Sequence, residues 1–187
     1  MIQVLVLTLI LALSFSTGCA YKFGMSDKSL PGGYTQVAIP VFKNTTAEVG
    51  VEPLFTNALI RKFARSQVAR VSDKDSSPLL LVGTVIEMRI ERGPPSELGG
   101  ALPTDAVLST DYRIYARLNL TLKRKSDEKI IWEGQFNNEK SYYGPRLVTA
   151  VVNSANATYN QSVKMQKISE LAEDMMTEAH DRMTENF

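Results

Sequence analysis

Two residue types that dominate reactive sites occur once each in this chain: Cys19 and His180. One cysteine cannot close an internal disulfide, and one cysteine with one histidine cannot supply the three or four ligands of a zinc site. Any serine-histidine-aspartate triad would have to run through His180. That residue sits between Ala179 and Asp181 near the chain end and reads as a surface histidine on a helix. No G-x-S-x-G, H-E-x-x-H, Walker or G-x-G-x-x-G pattern occurs. Glu87, Glu91 and Glu133 fall into strand alternation rather than an acid/base pair. No catalytic residue, metal site or cofactor is therefore expected, and Cys19 is left as the one side chain with a chemical task to assign.

Its surroundings suggest that task. Met1 to Phe15 is an uncharged apolar run, too short to span a bilayer but of the right length for the core of a secretory signal. Ser16, Thr17 and Gly18 follow, then Cys19 and Ala20. Small residues before a cysteine resemble a bacterial lipobox, in which the cysteine is lipidated on sulfur, becomes the first residue after cleavage, and is acylated on its new amine. Two departures stand out: Ser16 occupies the position three before the cysteine, where leucine is usual, and no Lys or Arg precedes the apolar run. The expected division is a signal over 1–18, a lipidated tether over 19–34 and one domain over 35–187. Two or more acyl chains anchor a protein stably, and Ala20, where aspartate would mark retention, points to the outer membrane.

The chain that follows must fold around whatever it binds. It has 187 residues, 44% hydrophobic and 22% charged, with 21 Lys+Arg against 20 Asp+Glu. That composition suits one globular domain, and a net charge of +1 offers no general attraction to nucleic acid. Gln36 to Phe42 reads as a strand with Val37, Ile39 and Val41 on one face, at an edge or bulged because Pro40 has no N–H to donate. Glu52-Pro53 opens an amphipathic helix in which Phe55, Ala58, Leu59 and Phe63 face inward and Arg61, Lys62 and Arg65 outward.

Three alternating strands come next. Leu79 to Glu91 is predicted to turn Leu80, Val82, Thr84, Ile86, Met88 and Ile90 inward. Asp111 to Leu122 turns in Tyr112, Ile114, Ala116, Leu118, Leu120 and Leu122, and Lys129 to Phe136 turns in Ile130, Trp132 and Phe136. A short turn at 123–128 makes the last two a hairpin. Arg92 to Leu108 is a loop with three Pro and three Gly, long enough to be functional or mobile. Ile168, Leu171, Ala172, Met175, Met176, Ala179 and Met183 form the apolar stripe of a C-terminal helix, and 153–161 is either its ragged start or a loop. Lys164 and Lys167 at its start, with Glu178, Asp181 and Glu185 toward its end, oppose the helix dipole. The result is an α+β two-layer sandwich, order β-α-β-β-β-α, with two helices on one face of a four-stranded, mainly antiparallel sheet. The other face is polar, carrying Glu87, Arg89, Arg113, Tyr115, Arg117 and Gln135.

Four stretches carry a family resemblance: Cys19 with Tyr21-Lys22-Phe23; Ala38-Ile39-Pro40-Val41-Phe42-Lys43-Asn44; Glu52-Pro53-Leu54-Phe55-Thr56-Asn57-Ala58-Leu59; and Leu81-Val82-Gly83-Thr84-Val85. They resemble the LptE family of lipopolysaccharide-assembly lipoproteins over nearly the whole chain after the signal. The resemblance implies a sandwich anchored at the periplasmic leaflet of the outer membrane. It also implies residence in the lumen of the LptD β-barrel as a plug and assembly aid, with lipopolysaccharide as a ligand. Lipid A phosphates would need cations, for which Lys123, Arg124 and Lys125 at the hairpin are the densest candidates, followed by Arg92 at the loop mouth and Arg146 after the last strand. The alternatives are a lipoprotein pilot for another envelope complex such as a secretin, or a periplasmic small-ligand binder or enzyme using the 92–108 loop as a lid.

Overall fold

Pro40 divides the first apolar run into two pieces. In the computed structural model, which describes residues 29–93, 107–148 and 157–185, the chain pairs at β1 (Gln36–Val37), bridges Ala38 to Leu80, and pairs again only at β2 (Lys43–Asn44). Val41, expected inward, is 66% exposed, while Val37, Ala38, Ile39 and Phe42 are buried. The break at the donor-less proline turns the chain so that Phe42 enters the core instead of Val41. Its ring lies over Gly83, where a Cβ would come within 2.5 Å of ring carbons.

Helix α1 (Glu52–Ser66) follows with its proline in the first turn and ends at Gln67, a left-handed residue with φ 56°. Phe55, Ala58, Leu59 and Phe63 are buried as their spacing requires. The two sequence motifs at its start hold each other. Thr56 Oγ1 accepts from the Phe42 N–H at 3.0 Å and donates to Glu52 O at 2.7 Å, and Asn44 Nδ2 donates to Glu52 Oε2 at 3.1 Å. Strand β3 (Arg70–Val71), not expected from the sequence, pairs in parallel with β1.

The main sheet has the order β2-β4-β5-β6, with β4 (Leu79–Arg92), β5 (Val107–Arg124) and β6 (Ile130–Val148) antiparallel and β2 parallel to β4. The predicted inward set of β4 is wrong in its first half. Leu79, Leu81 and Val85 are buried, Val82 and Thr84 are not, and the register shifts between Val85 and Glu87. The extra residue at that bulge reverses the faces, so only Met88 and Ile90 pack inward as expected. A second shift beside Leu122 and Lys123 puts Ile130 opposite Lys123 and leaves it 47% exposed, against the inward position predicted.

Both β5 and β6 run further than predicted. Val107 and Leu108 belong to β5 rather than to the long loop, of which 94–106 lies outside the described residues. β6 continues past Phe136 and buries Tyr142, stacked on Tyr112 at 5.1 Å. Helix α2 (Ala157–Thr184) buries all seven residues of the predicted stripe and lies on α1 and β6. The helix begins before Lys164, and Lys164 and Lys167 pair with Glu48 and Glu170 at 2.6 Å each. Arg182 stands in its last turn, paired with Glu178 at 2.6 Å. The opposition to the helix dipole is therefore weaker than the sequence suggests. The lead-in is not all tether, since Leu30 is fully buried in the core. Residues 1–28, with the expected signal and Cys19, lie outside the described residues. No helix among the described residues is long and apolar enough to cross a membrane.

Candidate functional site

Both helices lie on one side of the sheet, and among the described residues no element covers the other. Glu87 sits opposite Arg117, Arg89 opposite Tyr115 and Glu91 opposite Arg113. Glu87 accepts Arg89 Nε at 2.5 Å and also pairs with Arg117; Arg89 reaches Glu91 at 3.4 Å and lies over the Tyr115 ring at 5.0 Å. Arg113 faces Glu139 on β6 at 3.8 Å. Pairs this exposed each contribute little to stability. Their effect is to leave one half of a polar face with its charges matched.

The five candidate cations do not converge. Lys123 and Arg124 end β5 and Lys125 begins the hairpin turn. Arg124 makes a two-pronged pair with Asp127, both bonds 2.9 Å. Arg124 in turn holds the Asp127 carboxyl below its ordinary range. Lys125 Nζ donates to the carbonyls of Lys74 and, at 3.4 Å, Asp75. The Lys123 side chain makes no hydrogen bond or ion pair among the described residues. Arg92 is the exposed last residue of β4, opposite Tyr112. Arg146, expected after the last strand, lies within β6 opposite Ser109, because β6 is longer than its apolar pattern. Lys123 and Tyr112 are eleven residues apart on one strand, about 37 Å at the usual rise. The hairpin cations therefore mark one pole of the sheet, and Arg92 and Arg146 the other.

His180 is not a surface histidine. It is 1% exposed, packs edge-on against Phe63 at 4.9 Å, and sits with Nε2 at 2.8 Å from Ser66 Oγ and Nδ1 at 3.0 Å from Asp181 Oδ1. Asp181 also pairs with Lys62 of α1 at 3.4 Å. Burial alone would raise the Asp181 carboxyl, but the His180 hydrogen bond and the Lys62 charge outweigh it and hold it below its ordinary range. The order serine, histidine, aspartate has the connectivity of a triad. Its surroundings differ from one. Ser66 ends a helix, donates to Phe63 O at 3.2 Å and lies 3.5 Å from the Val68 N–H. The adjacent Gln67 N–H, where an oxyanion donor would be sought, is spent on Phe63 O at 3.0 Å. The chain of contacts fastens the end of α1 to α2. Position in the apolar stripe, one residue after Ala179, was the signal in the sequence that this histidine faces inward.

These features define a class: a two-layer α+β domain with one helix-covered sheet face, one bare polar face and basic groups at both poles. The chain matches the LptE family, described as lipopolysaccharide-assembly, over residues 34–185, and it belongs to that family. Among curated proteins, none matches its sequence. Solved structures are similar to it at low identity. One is a Helicobacter pylori homologue of the neuraminyllactose-binding hemagglutinin, 12% identical with TM-score 0.52, covering 84% of this chain and 89% of that one. Another is the PelC dodecamer of Paraburkholderia phytofirmans, 10% identical with TM-score 0.48, covering 86% and 93%. The rare lipoprotein B of Shewanella oneidensis is 13% identical with TM-score 0.37, covering 80% and 90%.

Proposed function

We propose that this member of a lipopolysaccharide-assembly family is a non-enzymatic outer-membrane lipoprotein, tethered through Cys19 on the periplasmic side. In this reading it assists assembly of an LptD-like β-barrel, plugs it, and helps deliver lipopolysaccharide to the cell surface. The observation that carries the reading is the outer sheet face, uncovered among the described residues, on which Glu87, Glu91 and Glu139 are matched by Arg89, Arg113 and Arg117. A barrel lumen is polar and wet, and a face of matched ion pairs and hydrated polar side chains suits it. Lys123 is the hairpin cation best placed to meet a lipid A phosphate, because Arg124 and Lys125 already have partners. Arg92 and Arg146 are a second, separate candidate contact at the other pole.

Mild detergent extraction of a tagged full chain tests the partner. A stoichiometric large β-barrel is the expected companion; a secretin supports the pilot alternative instead, and the absence of any companion refutes the plug. Mass spectrometry of the N-terminus is expected to find a triacylated Cys19, and an unmodified cysteine behind an intact signal refutes the tether. Changing Lys123, Arg124 and Lys125 together to Glu should weaken lipopolysaccharide pull-down without unfolding the domain. Unchanged capture removes the hairpin as a binding site.

A further inference from the structure

The outer face of the sheet is not uniform. Beyond the ion-pair ladder, toward the hairpin, Asn119 stands opposite Gln135 and Thr121 opposite Glu133. These four side chains ring a depression of about 420 Å³ whose floor is the backbone of Leu120 and Gly134. Among the described residues none of the four side chains makes a hydrogen bond or ion pair. Their neighbours Glu87, Arg89 and Arg117 on the same face are all paired. The contrast matters because cross-strand neighbours on a sheet find each other readily when their chemistry is complementary. Here two amides, a hydroxyl and a carboxylate stand side by side around a hollow with their bonding capacity unspent.

We infer that this depression is a binding site for a saccharide, recognised through its hydroxyl groups. Directly opposed side chains on neighbouring strands are about 5 Å apart, and successive ones on one face of a strand are about 7 Å apart. Asn119, Gln135, Thr121 and Glu133 therefore mark the corners of a rectangle on the scale of one pyranose ring with its hydroxyls. Asn and Gln each offer two N–H donors and a carbonyl acceptor, Thr offers one O–H, and an ionised Glu accepts from two neighbouring hydroxyls. That complement matches vicinal diols, whose oxygens both donate and accept. No cation lines the hollow, which separates this site from any phosphate contact made by the hairpin. Nor does an aromatic ring line it, so the sugar is held by its edge hydroxyls and not by stacking. Binding of this kind is weak and quickly reversed, as suits a chain that must move across the face.

The inference stands apart from the barrel partnership proposed above, and its test has a separate readout. Two probes distinguish the sources of such a sugar: the core oligosaccharide of lipopolysaccharide, freed of lipid A and dephosphorylated, and the N-acetylglucosamine-N-acetylmuramic acid disaccharide of the cell wall. Each is titrated into the full ¹⁵N-labelled chain in detergent, following the side-chain amide signals of Asn119 and Gln135 and, in parent and variants alike, the backbone amide signals of Leu120 and Gly134. One probe should shift both signals at millimolar concentration. The Asn119→Ala/Gln135→Ala variant, altered at two exposed positions, should retain its melting temperature yet bind about tenfold more weakly, the effect of losing two modest hydrogen-bonding groups. Arg113→Ala, on the charged half of the same face, should bind as the parent does. Failure of both probes to move the amides overturns the site, as does equal binding by the double variant. A barrel that still co-purifies in either case leaves the proposed function standing.

Discussion

Cutting His180 out of its contacts measures what the buried chain from Ser66 to Asp181 contributes. His180→Ala removes an imidazole that is 1% exposed, its edge contact with Phe63 and its 2.8 Å bond to Ser66. Truncating a large buried side chain costs about 3 kcal/mol where the site cannot collapse, and about 1 kcal/mol of that belongs to the hydrogen bond. His180→Leu keeps most of the volume and should cost only about 1–2 kcal/mol, mainly for the polar group left facing it. With about 3 °C of melting temperature per kcal/mol in a domain of this size, the Ala variant should melt about 9 °C lower and the Leu variant about 3–6 °C lower. The assay is thermal and urea unfolding of the full chain in detergent at neutral pH, followed by circular dichroism. Ser66→Ala closes a double-mutant cycle with His180→Leu, and a coupling of about 1 kcal/mol is expected if the two side chains bond each other. A His180→Ala variant as stable as the parent, or a cycle with no coupling, refutes the clasp.

Three further outcomes follow from local geometry. Gly83→Ala puts a methyl group 2.5 Å from the Phe42 ring; it should cost about 2–3 kcal/mol in urea unfolding, and Phe42→Leu in the same chain should recover part of it. Gln67→Gly, at a helix end with φ 56°, should stabilise the domain by about 0.5–1 kcal/mol in the same assay, because glycine adopts this conformation without a Cβ penalty. The Asp181 carboxyl is held below its ordinary range by His180 and Lys62 against the opposing effect of burial. Its stabilisation is thus present above the unfolded-state pKa and lost as pH falls through the folded value. Asp181→Asn should therefore be less stable than the parent at neutral pH, with the gap closing under strong acid in a pH series of urea unfolding curves.

The elements with a strong period were legible. The stripes Phe55-Leu59-Phe63 and Ile168 through Met183 put every named residue into the core, since an i, i+3, i+4 pattern has a single consistent face. Alternation served β5 equally well. It failed in β4, where Leu79 to Ile86 is apolar at nearly every position and either phase fits; only the bulge before Glu87 decides which residues turn in. It failed at the far end of β6 for the opposite reason. Asn137 to Ser141 has no apolar residue, and Lys140 stays on the core side because it reaches Asp174 of α2 at 2.7 Å. The motif residues behaved differently again. Phe42, Asn44, Glu52 and Thr56 bear the family resemblance, and hydrogen bonds join them to one another. They were visible because they fold the entrance to α1, and they say nothing about where a ligand binds. The candidate site was less legible, since sequence order does not show that the strands set the hairpin cations at one pole and Arg92 and Arg146 at the other.

That separation changes what the cations can do together. Lys123 and Arg92 lie at opposite ends of strands about 37 Å long, so no single headgroup touches both. The described chain arrives at the hairpin end: Leu30 is buried, and Ala38 bridges Leu80, which stands opposite Lys123. Cys19 lies eleven residues before Leu30, a span of at most about 40 Å when extended. With Cys19 held in the leaflet, as proposed, a tether of that reach joins the domain at its hairpin pole. An amphiphile moving along the face from that pole would meet Lys123 first, the amide-lined hollow at Asn119 and Gln135 next, and the matched ladder of Glu87, Arg89 and Arg117 after it. A ladder that neutralises itself offers no deep electrostatic well along that route, and a moving anionic glycolipid needs a surface that releases it as readily as it receives it.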